Sequence, residues 1–205
     1  MQGKNSFFVT GIGTEIGKTI VSAALVEKLQ ADYWKPVQSG DLENSDSIKI
    51  KNLISNTRSQ IFPETYRLTQ PFSPHKSAAL DGITIDPHKF IMPETDNALI
   101  VEGAGGLMVP LNDQFLMIDL IKQLDMAVIL VSKNYLGSIN HTLLSINALK
   151  QYGIPVKGII FNGPEDSYTK EFILQYTGIQ LLGHIPDYTL MDKKAIIVAG
   201  SCIDL

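Results

Sequence analysis

The chain has a single cysteine, Cys202, so neither an internal disulfide nor a cysteine-built metal cage is available to it. That usage suits a reducing cytosol. Long apolar runs are missing as well. The longest, MAVILV at 126–131, has the length of one buried strand and falls far short of the ~20 residues a membrane helix needs. The amino terminus, MQGKNSFFVTG, does not read as a signal peptide, because its apolar run is short and glycine interrupts it. Positive charge is scarce and scattered. Seventeen Lys and Arg face 21 Asp and Glu, the net charge is −4, and no basic cluster exceeds Lys193-Lys194. An electrostatic nucleic-acid footprint is therefore not expected, and any phosphate must be held by local geometry. His75, His88, His141 and His184 show no metal-ligand spacing. Repeats, low-complexity tracts and linkers are also lacking. These absences leave a soluble, cytoplasmic protein with neither membrane nor nucleic acid as partner.

What is present fits one large domain over 1–205, since 205 residues at 44% hydrophobic content can bury a single sizeable core. Four apolar runs bounded by breakers stand out, at 6–10, 97–102, 126–131 and 156–162. They are continuous and not alternating, as strands buried on both faces of a parallel sheet must be. The stretches 32–37 and 180–186 read as further strands. Between them lie amphipathic segments: 17–30, with Val21, Ala24, Leu25 and Leu29 on one face, 138–150, and 166–176 before Gly178. In 138–150, Ser138 is the expected N-cap, and Ile139, Leu143, Ile146 and Leu149 are expected to face inward. The alternation predicts an α/β fold, doubly wound, with a mostly parallel sheet flanked by helices. Five prolines break up 57–95, which reads as a long excursion over the sheet edge.

In such folds ligands sit at the carboxyl ends of the strands. After the first strand comes VTGIGTEIGKTI, residues 9–20. It ends like a phosphate-binding loop, yet Ile12 stands where G-x-x-x-x-G-K-[ST] requires glycine. The chemically active half is intact. Gly17 permits close approach to phosphate, Lys18 reaches the β- and γ-phosphates, and the Thr19 hydroxyl suits Mg2+. The helix that follows turns free N–H groups and its positive dipole end toward the anion. After the second strand, Lys35 is placed to clamp a carboxylate or a transferring phosphoryl group, and Ser39 offers a hydroxyl in a small-residue turn. A solvated lysine is the plain alternative for Lys35. Asn44-Ser45-Asp46-Ser47 opens a helix in which Asp46 is either a cap or a metal ligand. After the third run, Glu102 ends a buried strand before Gly103-Ala104-Gly105-Gly106, the Walker B arrangement that holds Mg2+ opposite the loop threonine. Gly137 and Ser138 open a helix that can receive an anionic group. Asn162-Gly163 puts a carboxamide at the rim, where it can read a purine edge, although Asn-Gly is also an ordinary turn.

Taken together, TGIGTEIGKT, WKPVQSG, NSD at 44–46, SPH at 73–75, VEGAGGLMVPL, LGSINH, Asn162 and Ile185-Pro186 resemble the dethiobiotin synthetase family of P-loop ATPases. These motifs are spread in order over nearly the whole chain, and the family's own loop carries the extra residue. The resemblance implies a P-loop NTPase fold and an ATP-dependent ring closure of 7,8-diaminopelargonate with CO2, through a carbamate and its mixed anhydride with phosphate. It implies that Lys18 and Lys35 are catalytic and that Thr19, Asp46 and Glu102 hold Mg2+. Nucleotide contacts are implied for Glu15, Ile16, Gly17, Lys18, Thr19, Ile20, Asp46, Glu102, Gly103, Ala104 and Gly105. Base contacts are implied for Asn162, Gly163, Ile185, Pro186 and Asp187. Thr14 and Ser39 would meet the carbamate end. In a homodimer the substrate's carboxylate tail would lie near Leu136 to His141, at Gly137, Ser138 and Asn140.

Two rivals come from the same fold. A partitioning-type ATPase switch carries a lysine early in its loop, where this chain has Gly13. An amidotransferase synthetase would be fused to a glutaminase with a nucleophilic cysteine, and only Cys202 is present.

Overall fold

The apolar runs are the strands, and alternate side chains of each feed opposite faces of one sheet, as the two-residue period requires. In the computed structural model, which describes residues 6–205, Phe8 packs to one side and Val9 to the other, both fully buried. In chain order the elements are β1 (Phe7–Gly11), α1 (Lys18–Leu29), β2 (Asp32–Trp34), β3 (Val37–Ser39), α2 (Asp46–Leu53), β4 (Ile61–Phe62), β5 (Tyr66–Leu68) and α3 (Pro74–Leu80). They continue with β6 (Leu99–Gly106), α4 (Met117–Leu124), β7 (Val128–Ser132), α5 (Ser138–Gln151), β8 (Val156–Asn162), α6 (Ser167–Thr177), β9 (Leu181–Ile185) and α7 (Lys193–Ser201). The main sheet has seven strands in the order β4-β2-β6-β1-β7-β8-β9, and every neighbouring pair is parallel. One face is covered by α1, α2 and α7 through Val21, Leu25, Ile50 and Ile196. The other is covered by α4, α5 and α6 through Ile118, Ile121, Leu149 and Ile173. The doubly wound architecture is the expected one. Its central strand β1 points its carboxyl end into the crevice where the chain's connections diverge.

Several local expectations are corrected. The stretch 32–37 is not one strand. It breaks at Lys35-Pro36, because proline has no N–H for a ladder, and β3 then pairs with β5 in a separate two-stranded sheet. The segment 57–95 does run at the sheet edge, but it supplies structure there: β4 extends the main sheet, β5 completes the small one, and α3 follows. The helix α5 is capped by Gly137 at φ 102, a conformation glycine tolerates, and Ser138 is its first helical residue, already buried. Its inward stripe is Ser138, Thr142, Ile146 and Leu149, while Ile139 and Leu143 are only half-buried. In α1, Ala23 and Val26 are buried with Val21, Ala24 and Leu25, whereas Leu29 is half-buried. The helices α4 and α7 were not anticipated. The first carries an apolar stripe of Met117, Ile118, Leu120, Ile121 and Leu124, and the second starts where the Asp192 carboxylate accepts from the Ala195 N–H at 2.9 Å.

The last residues return to the outer strand. Gly183 of β9 bridges Ile203, and the Asp204 N–H donates to the Leu182 carbonyl at 2.7 Å. A methyl group on Gly183 would collide with the Cys202 carbonyl oxygen, which is backbone and cannot swing aside. Gly183→Ala is therefore expected to destabilise the fold by about 1–3 kcal/mol through overpacking, read as a lower urea midpoint. An unchanged midpoint would show that the closing segment does not need its seat on β9.

Candidate active site

The loop between β1 and α1 is held at three points before any ligand is considered. Gly11 must be small because the Ile16 side chain folds directly over it. Gly17 sits at φ 91, and a side chain there would collide with the Asn162 carboxamide. That carboxamide donates from Nδ2 to the Ile16 carbonyl at 3.2 Å. Inside the loop, Lys18 is buried and its Nζ donates to the Gly13 carbonyl at 2.8 Å. Burial lowers the Lys18 ammonium to about 8, with Lys35 adding to the fall while Glu102 and Asp46 oppose it.

Facing the loop, the end of β2, the middle of β6 and the start of α2 bring a compact charge cluster together. Glu102 does not end its strand as expected, because β6 continues through Gly103-Ala104-Gly105-Gly106, residues too small to extend the apolar run. Glu102, 1% exposed, accepts from the Thr19 hydroxyl at 3.0 Å and from Lys35 Nζ at 3.1 Å on Oε1, and from the Tyr33 hydroxyl at 3.0 Å on Oε2. Lys35 also lies 2.5 Å from Asp46 Oδ2. Burial works to lower the Lys35 ammonium, but Glu102 and Asp46 carry it above its ordinary value. Burial likewise works to raise Asp46, and Lys35, helped by Lys49 and Thr19, brings it below the ordinary carboxylate value. Tyr33 is pushed well above the usual phenol value, by burial first and then by the Glu102 charge. Ser45, not Asp46, caps α2, its hydroxyl accepting from the Ile48 N–H at 3.4 Å, so the Asp46 carboxylate is left for the cluster.

A cleft of about 890 Å³ joins loop and cluster. Of the residues singled out in the sequence, Thr14, Glu15, Gly17, Lys18, Thr19, Ile20, Lys35, Ser39, Asp46, Glu102, Ala104 and Gly105 line it. Gly103 lies behind the wall, where a side chain would press on Phe8 and Met117, and Ile16 is buried under the loop. Asn162, Gly163, Ile185, Pro186 and Asp187 form a separate corner on the far side of the loop, tied together by the Gly163 N–H donating to the Ile185 carbonyl at 2.9 Å. Gly137, Ser138 and Asn140 are at the start of α5, outside the cleft lining, beside the fully exposed Leu136.

Other members of the site are not evident from the sequence. Gln38 donates to the Gly40 carbonyl at 2.9 Å and accepts from the Asp46 N–H at 3.3 Å, so it ties the Ser39 turn to α2. Val37, Pro71, Phe72 and Val109 give the cleft an apolar side, and Lys49 adds a half-exposed cation. Tyr33 stands two residues before Lys35 and so faces the same way, which was the only signal available for it.

A buried acid on the strand beside a Gly-Lys-Thr loop, in an all-parallel doubly wound sheet, defines a P-loop NTPase. A family model described as an AAA domain matches residues 5–195. The fold is similar to a ParA family ATPase from Chlorobium tepidum TLS, with a TM-score of 0.58 at 12% identity over 96% of this chain and 99% of that one. It is also similar to the MinC:MinD cell division protein complex of Aquifex aeolicus, with a TM-score of 0.61 at 15% identity over 96% and 94%. At such identities the likeness is one of fold alone. Sequence relatives go further. The chain is 52% identical over 93% of its length to the ATP-dependent dethiobiotin synthetase BioD of Christiangramia forsetii, covering 92% of that protein. It is 49% identical to that of Cytophaga hutchinsonii, over 93% and 92%, and 45% identical to that of Agrobacterium fabrum, over 93% and 90%. The chain belongs to the ATP-dependent dethiobiotin synthetase family and is an ATP-dependent ligase.

The lowered Lys18 has a kinetic signature. As pH rises through about 8 the free enzyme loses the Lys18 proton and with it an anion-binding charge. kcat/KM for ATP, which reports the free enzyme, is expected to fall above that pH. Bound phosphates favour the charged form, so the break in kcat should come at higher pH. Coincident breaks in the two profiles would show that Lys18 does not govern nucleotide capture.

Proposed function

We propose that this chain closes the ureido ring of dethiobiotin from 7,8-diaminopelargonate, CO2 and ATP, and that the two buried lysines carry the chemistry. The substrate's 7-amino group gives up a proton and adds to CO2, forming a carbamate. A carbamate oxygen takes the γ-phosphoryl group and ADP leaves. The 8-amino nitrogen then attacks the carbonyl carbon, the C–O bond to phosphate breaks, the nitrogen gives up a proton to the departing phosphate or to solvent, and the ring closes. Two anions, carbamate and triphosphate, must be brought together for the middle step, which requires converging cations and backbone donors.

The observation that carries this reading is the position of Lys35. A phosphate loop, a hydroxyl and an acid suffice to bind and hydrolyse a nucleotide, but here a second buried ammonium stands at the end of β2, on the same cleft as Lys18. It is where a second anion would be held. Ser39 and Thr14, on that cleft too, would meet the carbamate end. Asn162, with Gly163 and Ile185-Pro186-Asp187, would receive the base, because the corner adjoins the loop that takes the phosphates. The start of α5, at Gly137, Ser138 and Asn140, would hold the substrate's tail across a homodimer.

The donor set fits Mg2+. The Thr19 hydroxyl and the carboxylates of Asp46 and Glu102 are hard oxygens in one cluster: Thr19 donates to Glu102, and both carboxylates hold the Lys35 ammonium. Mg2+ usually keeps several waters and is shared with substrate phosphates, so one hydroxyl and two carboxylates suffice as its protein ligands. When bound, Mg2+ would neutralise charge on the phosphate oxygens. Among the described residues no helix is long and apolar enough to cross a membrane, and we place the reaction in the cytoplasm.

Purified protein given diaminopelargonate, bicarbonate, Mg2+ and ATP should yield dethiobiotin and ADP. ATP hydrolysis with no dethiobiotin would sink the proposal and favour the switch-type ATPase instead. Lys18→Ala and Lys35→Ala should each lower kcat by roughly 10²–10³, the usual worth of one electrostatic donor. Full activity in Lys35→Ala would remove that residue from the mechanism.

A further inference from the structure

Resting on the reaction above, we infer that Tyr33 is a positioning residue: its hydroxyl holds Glu102 by one carboxylate oxygen so that the other is presented to the cleft. The two oxygens of Glu102 have different neighbours. Oε2 accepts only from Tyr33 among the described residues, at 3.0 Å, whereas Oε1 accepts from Thr19 and Lys35. Tyr33 belongs to neither the loop nor the cleft lining. Its ring is fully buried in the core layer with Val21, Ala24 and Ile100, and β2 places its backbone directly beside β6 at Ile100. The donor is thus fixed by the core and not by the ligand.

The chemistry needs such a donor because a carboxylate turns easily about its last torsion, and a neighbouring ammonium invites both oxygens. Lys35 lies 3.1 Å from Oε1. Without the tyrosine, the carboxylate would rotate to meet Lys35 with both oxygens. That would turn Glu102 away from the Thr19 hydroxyl and from the ion between them. The tyrosine supplies a neutral hydrogen bond on the far side, so one charged oxygen is satisfied without spending a cation. Partners of this outer kind typically change metal affinity or activity by about 10–100-fold when removed.

Tyr33→Phe keeps the ring and deletes only the hydroxyl. Mn2+ binding can be followed by electron paramagnetic resonance in the presence of a non-hydrolysable ATP analogue. The expected result is a 10–100-fold weaker Mn2+ affinity in Tyr33→Phe, a matching rise in the Mg2+ concentration needed for half-maximal rate, and little change in KM for diaminopelargonate. Ile196→Val, a trimmed core residue of the same buried layer on α7, should lower the melting temperature without moving Mn2+ affinity. If wild type binds Mn2+ and makes dethiobiotin while Tyr33→Phe matches it in Mn2+ affinity, the positioning role is overturned. If wild type itself makes no dethiobiotin, the functional reading fails first. A crystal structure of the wild type with Mg2+ and the analogue gives a second test that no variant's folding can spoil. Tyr33 should still donate to Oε2 with Oε1 toward the ion, and an ion held on Oε2 would overturn the inference.

Discussion

The molecule is organised around one buried carboxylate. Glu102 lies within the strand β6, next to the central strand β1, at 1% exposure, where an ionised group left alone would cost several kcal/mol. Its three donors come from separate parts of the chain: Thr19 from the first turn of α1, and Tyr33 and Lys35 from β2 and its end. Those donors arrive only if β2 lies against β6 and if α1 begins directly above the end of β1, which is the sheet order observed. Fold and site are therefore one constraint read at two scales. Asp46 completes the cluster by sharing Lys35, and the cap of α2 falls to Ser45 as a consequence. Two ammoniums, Lys18 and Lys35, then stand against two carboxylates. With its own charges balanced, the cleft must attract anions through loop N–H groups, the dipole end of α1 and a divalent ion, not through surplus positive charge.

How much of this is legible in the sequence depends on whether the physical cause is local. Strands buried on both faces write themselves as continuous apolar runs, so β1, β7 and β8 were readable. β6 was readable only as far as Glu102, because its last residues, through Gly106, have almost no side chains to pattern. Pro36 carried the information that 32–37 must break, yet pairing of β3 with β5 depends on a segment far along the chain. The site shows the same division. Gly17-Lys18-Thr19, Lys35 and Glu102 are legible because phosphate and metal chemistry demand those types just after or within the apolar runs that flank the loop. Gln38 and Tyr33 were not, since a glutamine in a turn and a tyrosine in an apolar run look like ordinary structure until a partner 8 or 69 residues away is known. Asn162 was legible as a rim carboxamide, whereas its bond to Ile16, 146 residues distant, was invisible.

The long phosphate loop gains a physical account from the same packing. Ile12 stands where a shorter loop would have glycine, and it packs against the hydrophobic layers on both faces of the sheet. Its N–H donates to the Val131 carbonyl at 3.1 Å, which continues the ladder of β1 with β7 beyond Gly11. Ile16 is buried and folds back over Gly11, and Gly106 passes so close that a side chain there would come within 3.3 Å of the Gly11 carbonyl. Two isoleucines thus pin the extra length into the core at both of its ends, and the span between them, Gly13 to Glu15, is what projects. Glu15 adopts φ 58, a left-handed conformation that a non-glycine residue holds only when its surroundings fix it. A loop anchored in this way can set Thr14 and Glu15 on the cleft at little entropic cost on binding, because its ordering was completed when the core formed.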